Sequence, residues 1–525
     1  MKTKRPKSPE EAAAGLISEA RRDCKKCEDD RARISVQLAA MQAGYLPAIV
    51  KELGRRWLTD TVPNPIEDKA IDDPIYGHIV LDRALATVVS HPLLQRLARV
   101  KQLSFSFAQF PSSRHSRLSH SLGVAKNAER ALNGILDRGV YYVAGEKQPI
   151  QFDRQVTEQR RELIQKARVA AVLHDVGHGP FGHALDGYAG ITLRVDRPDK
   201  HYTKIYVGNF LAPTLQSVQI DVAIVLSILS SDRANLKGVD NLIADIIDSS
   251  LDVDRMDYLM RDAHMTGLMM GFINTSALID FMKPVLDQEA FILAYDEQAL
   301  SYMEHLILAR DFMYFNCYEH PRKKAAERIF TRLVQSIVED RRLGLSLDQI
   351  FALADEELMA AVTGIGTGNE MSRHLADELM GDIDYVCVYE VPATEKEEAL
   401  PPIIENWQRD VLIGDRQIAY ITKPGNWEKE IAENSVGAER AWQIQVILPD
   451  PGLYQQAHSE TKLVITDNAG RCQIVNFFDR SRIVKEILAR MNLQRQTIMV
   501  MCPARLPSGE RDQIKDAAAS LLTLA

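Results

Sequence analysis

The sequence predicts a mainly α-helical protein, with an all-helical domain followed by a smaller α+β region. Three observations carry this. Apolar residues recur at three- and four-residue spacing over most of the stretch from Leu81 to Val338. From about Asp382 the pattern changes to β-branched runs separated by Pro, Gly and charge. At 525 residues the chain is also longer than one hydrophobic core usually organises. The expected divisions are a charged N-terminal helical segment (1–60), the helical domain (61–380) and the α+β region (381–525), to which regulation or oligomerisation falls by default.

Ser8-Pro9-Glu10-Glu11 supplies an N-cap, a proline at the first helical position and a capping-box glutamate, so a helix is expected from there to about Met41. Its charge reads first as a solvated face and second as a partner or oligomer arm. Residues 62–80 read as irregular chain with a short hairpin. Helices are then expected over Leu81–Val89, Pro92–Leu103, Ser119–Leu136, Gln159–Leu173, Tyr202–Leu211, Val222–Leu229, Ile243–Met260 and Ala299–Val338. The polar stretch Val143–Arg154 interrupts them as an exposed loop or small hairpin. Beyond residue 380, strands are expected in Asp384–Val391, Val411–Thr422, Trp442–Leu448, Thr461–Thr466 and Thr497–Met501, with helices near 480–491 and 508–523.

A net charge of −9 and a pI near 5.9 argue against a broad phosphate-binding surface, though not against a local basic pocket. Six dispersed cysteines are too sparse for a disulfide framework. Cys24 and Cys27 lack a second ligand pair at zinc-finger spacing and read as thiols on a charged helix. The N-terminus lacks the apolar core of a signal peptide, and no run approaches a membrane span, so a cytoplasmic protein without membrane contact is expected. The glycines at 364, 366 and 368 resemble a phosphate loop only in composition and read as a helix-terminating loop.

Nine of the thirteen histidines lie between His78 and His264, which assigns the chemistry to the helical domain. Leu173–Asp186, LHDVGHGPFGHALD, holds three histidines and two aspartates in fourteen residues, more metal-binding and proton-transfer groups than a folded core needs. In a helical frame His174 and His178 share a face, and Asp175 reaches the same ion from the adjacent edge. With His120 upstream and Asp254 downstream they suggest a composite site for a borderline or hard divalent cation, with Mn²⁺, Mg²⁺, Fe²⁺, Ni²⁺ and Zn²⁺ all compatible. Arg255, Tyr258 and Asp262 fall at i, i+3 and i+7, where a cation, a phenol and a carboxylate can line one wall of a pocket.

The ordered motifs HSRLSHSLGV (115–124), LHDVGHGPFGHALD (173–186) and LDVDRMDYLMRDAH (251–264) resemble those of the HD-domain phosphohydrolases. The likeness is greatest to the deoxynucleoside triphosphate triphosphohydrolases, which include the animal sterile-alpha-motif/HD enzyme and its bacterial relatives. It runs from about Asp73 to about residue 340, and no sterile-alpha-motif domain is evident.

The resemblance implies an oligomeric, metal-dependent enzyme that releases deoxynucleoside and inorganic triphosphate from dNTPs. His120, His174, Asp175 and Asp254 would be its metal ligands. A bound cation lowers the pKa of its water and polarises a phosphoryl group. His183, Asp186 and His201 would handle protons, with His183 nearest the reacting phosphate and His178 as a further candidate. Gln102 and Asp262 would meet the sugar 3′-hydroxyl, and Leu103 would crowd the 2′ position and so disfavour ribose. Arg255 stands where a lysine is usual, and its fork suits phosphate oxygens. Arg117 and Tyr258 complete the candidate substrate contacts, and the basic cluster His320–Lys324 reads either as further triphosphate charge or as a solvated basic turn.

Two departures stand out. Ser104-Phe105-Ser106-Phe107 replaces a glycine-containing loop. The positions matching the animal enzyme's guanine-reading aspartate and arginine are Ser90 and Ala98, so a nucleotide activator, if used, is not expected to be read in that way. Two other readings stay open. One is a phosphodiesterase or nuclease acting on single-stranded nucleic acid or another nucleotide, with Phe105 and Phe107 as exposed stacking aromatics. The other is a nucleotide-sensing oligomeric scaffold.

Overall fold

The computed structural model describes residues 56–64, 66–186, 197–230, 233, 236–339, 346–365, 370–392, 416–448, 461–484 and 497–524. The helix expected from Ser8, the Cys24/Cys27 pair and most of the 364–368 loop lie outside these residues.

The helical part opens with the expected hairpin, β1 (Lys69–Asp73) antiparallel to β2 (Gly77–Leu81). Helix α1 (Arg83–Val89) begins at Asp82, whose carboxylate accepts from Leu85 N–H. Helix α2 (Pro92–Leu97) starts on a proline and is capped by His91 Nδ1. It stops six residues short of expectation, because the chain turns aside to pair Lys101 with Ser116 while Gln102 N–H donates to His115 carbonyl.

Helix α3 (Arg117–Arg138) runs from its Ser116 cap to a left-handed Gly139. Helix α4 (Arg160–Leu173) packs along it and ends at His174. Between them the 143–154 stretch is a small hairpin, β3 (Val140–Tyr141) with β4 (Ile150–Gln151), followed by one helical turn at Arg154–Glu158.

Helix α5 (Pro198–Ile205) continues into a widened turn over Tyr206–Leu211. The single helix expected over Ile243–Met260 is two, α6 (Gly238–Ile247) and α7 (Val253–Thr266). Asp252 starts the second by accepting from Arg255 N–H, a capping role its continuous apolar period concealed. A hairpin follows that apolar periodicity did not reveal, β5 (Met282–Asp287) with β6 (Ala290–Asp296). The long helix expected over Ala299–Val338 also divides, into α8 (Leu300–Met313) and α9 (Pro321–Glu339), because Pro321 has no N–H to continue the ladder. Helices α10 (Asp355–Ile365) and α11 (Glu370–Met380) complete this part.

The later region is the expected smaller mixture of sheet and helix. Strand β7 (Tyr385–Pro392) precedes α12 (Arg416–Glu433), which corrects one expectation, since residues 416–422 of the segment read as a strand are helical. Trp427, Glu428, Ile431 and Ala432 downstream are all buried on one helical face, and that period organises the segment despite its β-branched start. Strand β8 (Gln445–Ile447) follows, then a hairpin of β9 (Lys462–Thr466) and β10 (Cys472–Asn476), β11 (Thr497–Pro503) and α13 (Ser508–Leu524). Strands β7, β11 and β8 form a three-stranded sheet in that order, with its own small core beneath α12 and α13. The β9–β10 hairpin instead joins β6 in parallel, giving the order β10-β9-β6-β5 and tying the C-terminal region to the helical part. Among the described residues no helix is long and apolar enough to cross a membrane.

Candidate metal centre and its surroundings

Three elements deliver the metal candidates. His120 lies one turn into α3, His174 ends α4 with Asp175 following, and Asp254 is in the first turn of α7. One ligand atom each from His120, His174 and Asp175 lies within 4.8 Å of the others. Asp254 Oδ1 is 2.9 Å from His120 Nε2 and 3.5 Å from His174 Nε2, so the fourth candidate reaches both imidazoles from beside this triad.

Both imidazoles are oriented from behind. His120 Nδ1 is 2.8 Å from Asp257 Oδ2, and His174 Nδ1 is 2.8 Å from the Ala171 carbonyl, which leaves each Nε2 facing the centre. His174 Nε2 is buried without a hydrogen-bond partner. Two imidazoles and two carboxylates around an unsatisfied buried nitrogen suit a divalent cation. The electrostatics agree. Burial disfavours a charged His120, yet Asp254 and Asp257 outweigh it and raise its pKa to about 10. Burial likewise opposes charge on His174, and Asp175 and Asp254 raise it nonetheless. Burial disfavours the Asp254 carboxylate, but His120 and His174 hold its pKa below the usual range. The carboxylates thus favour positive charge at this centre.

The supporting shell is buried and ionic. Asp257 accepts from Arg261 Nε and Nη2, both at 2.9 Å, and Arg261 Nη1 reaches Asp73 on β1 at 2.8 Å. Asp257 lies inside a motif that the sequence displays, but its role in orienting His120 was not read from it. Its signal is spacing, three residues after Asp254 and four before Arg261, which turns it toward α3. Gly123 makes this approach possible, since a Cβ there would lie 1.8 Å from Asp257 Oδ1.

Arg117, a phosphate candidate from the sequence, places Nη1 on Asp175 Oδ2 at 2.7 Å, so part of its fork is committed to a metal candidate. Arg96, fully buried, donates to the carbonyls of Val176, His178, Phe351 and Leu353 at 2.7–3.1 Å and clamps the loop after Asp175. Nothing in its sequence context marks it. Gly177 lets α5 close over the same loop, because a Cβ there would lie 2.0 Å from the Asp199 carbonyl.

Of the proton-handling candidates, three are brought together. His183 Nδ1 is 2.7 Å from Asp186 Oδ2, and the His183 ring meets His178 edge-on at 4.8 Å. The His183 side chain is 67 % exposed. Protein packed around the inner side of the ring works against its charge, but Asp186 raises its pKa. His178 moves the other way, since burial and the nearby Arg117 cation lower it, and its Nδ1 is 3.2 Å from Asp175 Oδ1. His201 lies edge-on to Tyr202 at 5.3 Å, and no hydrogen bond among the described residues joins it to His183 or Asp186. The acid that acts on His178 and His183 from α5 is Asp199, held by both Arg197 nitrogens at 3.0 and 2.8 Å.

Several of the substrate candidates lie around Asp262 of α7. Asp262 is buried and accepts from His115 Nε2 at 2.7 Å and Tyr318 hydroxyl at 2.8 Å, two partners the sequence did not reveal. Gln102, whose backbone pairs with His115, has a buried Oε1 without a partner. Tyr258 meets Tyr318 edge-on at 6.1 Å, and Arg255 Nε donates to Ser249 carbonyl at 3.3 Å. Leu103 is buried in the main core.

Two sequence expectations are corrected here. Phe105 is not an exposed stacking aromatic. It is fully buried and stacks on Phe181 at 4.4 Å, drawn in by the apolar surface of Phe181 and Phe330. Phe107 is half-buried beneath Arg114, whose guanidinium is 4.6 Å from its ring. The basic turn at 320–324 is likewise no open triphosphate site. Arg322 pairs with Asp384, Lys323 with Glu327 at 2.9 Å and Lys324 with Glu319 at 3.0 Å.

Comparison with known proteins agrees with this layout. Residues 117–261, which carry all four metal candidates, match the HD domain. An uncharacterized protein of Mycoplasma genitalium is 28% identical over 279 residues, 51% of this chain and 61% of its own. The uncharacterized protein YwfO of Bacillus subtilis is 29% identical over 275 residues, 51% of this chain and 55% of its own. The deoxynucleoside triphosphate triphosphohydrolase SAMHD1 of Homo sapiens is 27% identical over 281 residues, 48% of this chain and 42% of its own. The chain thus spans about two fifths to three fifths of the length of these relatives. In fold, a phosphohydrolase from Bacteroides thetaiotaomicron superposes with a TM-score of 0.59 at 19% identity, over 84% of this chain and all of that one.

Proposed function

We propose that this HD-domain protein is a metal-dependent phosphohydrolase that cleaves dNTPs to deoxynucleoside and inorganic triphosphate. The observation that supports the hydrolase reading is the buried group of His120, His174 and Asp175 from two elements, with Asp254 of a third against both imidazoles. The substrate rests on the likeness to the SAMHD1 triphosphohydrolase, together with Asp262 held by His115 and Tyr318, and Gln102 joined to His115 through its backbone. The four metal candidates would hold a divalent ion, which supplies a Lewis acid for the phosphoryl group and activates water.

The chain's own residues do the rest. Asp257 and the Ala171 carbonyl keep His120 and His174 in the tautomer that presents Nε2. Water oxygen bonds to the α-phosphorus as one of its protons leaves to solvent, the bond from phosphorus to the 5′ oxygen breaks, and the triphosphate keeps the incoming oxygen. His183 gives its proton to the departing 5′ oxygen and regains one from solvent, and Asp186 favours the protonated ring that makes the donation. Asp262 and Gln102 take the sugar edge. Incubation with each dNTP and Mn²⁺ or Mg²⁺, resolved by phosphorus NMR, tests the reading. Triphosphate that vanishes in Asp175→Ala supports it, and release of only mono- or diphosphate refutes it.

A further inference from the structure

Phe181 stands in the middle of the 173–186 motif with φ 55°, a left-handed backbone that a residue with a Cβ keeps only where its surroundings impose it. Gly182 follows at φ 58°, so the chain reverses tightly just before His183. Ser104, two residues after Gln102, is also left-handed, at φ 51°. Two non-glycine residues thus take a left-handed backbone, one in the loop of the proton-donor candidate and one in the loop of the sugar-contact candidate.

One carboxylate binds both loops. Asp355, the first residue of α10 and fully buried, accepts the Phe181 N–H at 2.6 Å on Oδ1 and the Lys101 N–H at 2.9 Å on Oδ2. Lys101 Nζ lies 3.3 Å from the same Oδ2 and 5.5 Å from the centre of the Phe181 ring. The stack of Phe105 on Phe181, with 7° between the ring planes, closes the junction above it. Starting a helix does not require that its first residue bind two amides from segments 174 and 254 positions away in sequence. Burial disfavours this carboxylate and raises its pKa against the pull of Lys101, so the site holds a charged group at a cost that a neutral residue would avoid.

We propose that Asp355 is a positioning residue that sets the proton-transfer loop against the substrate-pocket loop, holding Phe181 left-handed so that His183 faces a nucleotide seated on Gln102. The inference rests on the dNTP-hydrolase reading for its kinetic part alone. Asp355→Asn keeps the size of the side chain but replaces one acceptor oxygen with a donor, so it cannot serve both amides. Full-length wild type, Asp355→Asn, Phe181→Gly and the double variant are compared by hydrogen exchange read by mass spectrometry and by dNTP kinetics.

In Asp355→Asn, exchange rises in peptides covering 101–106 and 178–186 and stays unchanged in α3 and α7. Its kcat falls by about 10- to 100-fold, more than KM rises, with Mn²⁺ content intact. Glycine adopts the left-handed backbone unaided, so the same substitution costs less in the Phe181→Gly background. Equal cost in both backgrounds, or faster exchange throughout the helical part, overturns the proposal. A wild type that releases no triphosphate from any dNTP overturns the activity reading instead, and the exchange pattern then decides on Asp355 by itself. If Asp355→Asn does not fold, Lys101→Met removes the cation from the same carboxylate, and loosening confined to the same two loops is again required.

Discussion

Gly123→Ala should disable the metal site without touching a ligand. Gly123 lies one turn from His120, where α3 crosses α7, and a Cβ there would lie 1.8 Å from Asp257 Oδ1, 2.4 Å from Arg261 Nη2 and 2.7 Å from Asp257 Cγ. Restoring an ordinary 3.4 Å contact from 1.8 Å requires the carboxylate to move by about 1.6 Å. It cannot do so and keep both the 2.8 Å bond with His120 and the two 2.9 Å bonds from Arg261. All three side chains are buried, and breaking such a pair costs about 3–5 kcal/mol. Loss of the group that orients His120 should also weaken metal binding by about 10- to 100-fold. Urea unfolding gives the first number and calorimetric titration with Mn²⁺ the second. Stability within about 0.5 kcal/mol of wild type, the range of an inconsequential surface change, together with unchanged Mn²⁺ affinity, would refute the reasoning, because α7 would then not lie against α3 as described.

Asp186→Asn should move the alkaline limb of the pH–rate profile. The carboxylate raises the His183 pKa, so the protonated donor persists above its ordinary range. Without it the donor is lost at lower pH and the limb shifts to the acid side, and a limb that stays put would separate His183 from proton donation. Tyr318→Phe removes one of two donors to Asp262, a hydrogen bond to a charged group worth about 1.5–3 kcal/mol, so KM for dNTPs should rise about tenfold with kcat little changed. A fall confined to kcat would place Tyr318 in the chemistry instead. Phe105→Ala should cost about 3–5 kcal/mol in unfolding free energy, as for a core aromatic. A near-neutral effect on stability with lost oligonucleotide binding would restore the stacking role that its burial removes.

The metal candidates were legible because their chemistry is unusual in composition: histidine and aspartate crowded into fourteen residues of a helical domain have few structural uses. Helix positions were legible from apolar period. Where a helix ends was not, because Asp252 acts by accepting two backbone N–H groups and Pro321 by lacking its own, while the apolar period continues across both. Residues that work by burial were hidden for the opposite reason. Arg96 and Asp355 are ordinary charged residues in the sequence, and only the fold shows the backbone groups they satisfy. Phe105 illustrates the same limit, since a Ser-Phe-Ser-Phe loop reads as exposed until Phe181 and Phe330 arrive from elsewhere to cover it.

The most direct test of the central claim is the position of bond cleavage. With dATP in ¹⁸O-labelled water and the metal-loaded protein, the account predicts intact inorganic triphosphate carrying one labelled oxygen on the phosphate that was α, and unlabelled deoxyadenosine. Label in deoxyadenosine, or pyrophosphate or orthophosphate as the first product, would contradict it.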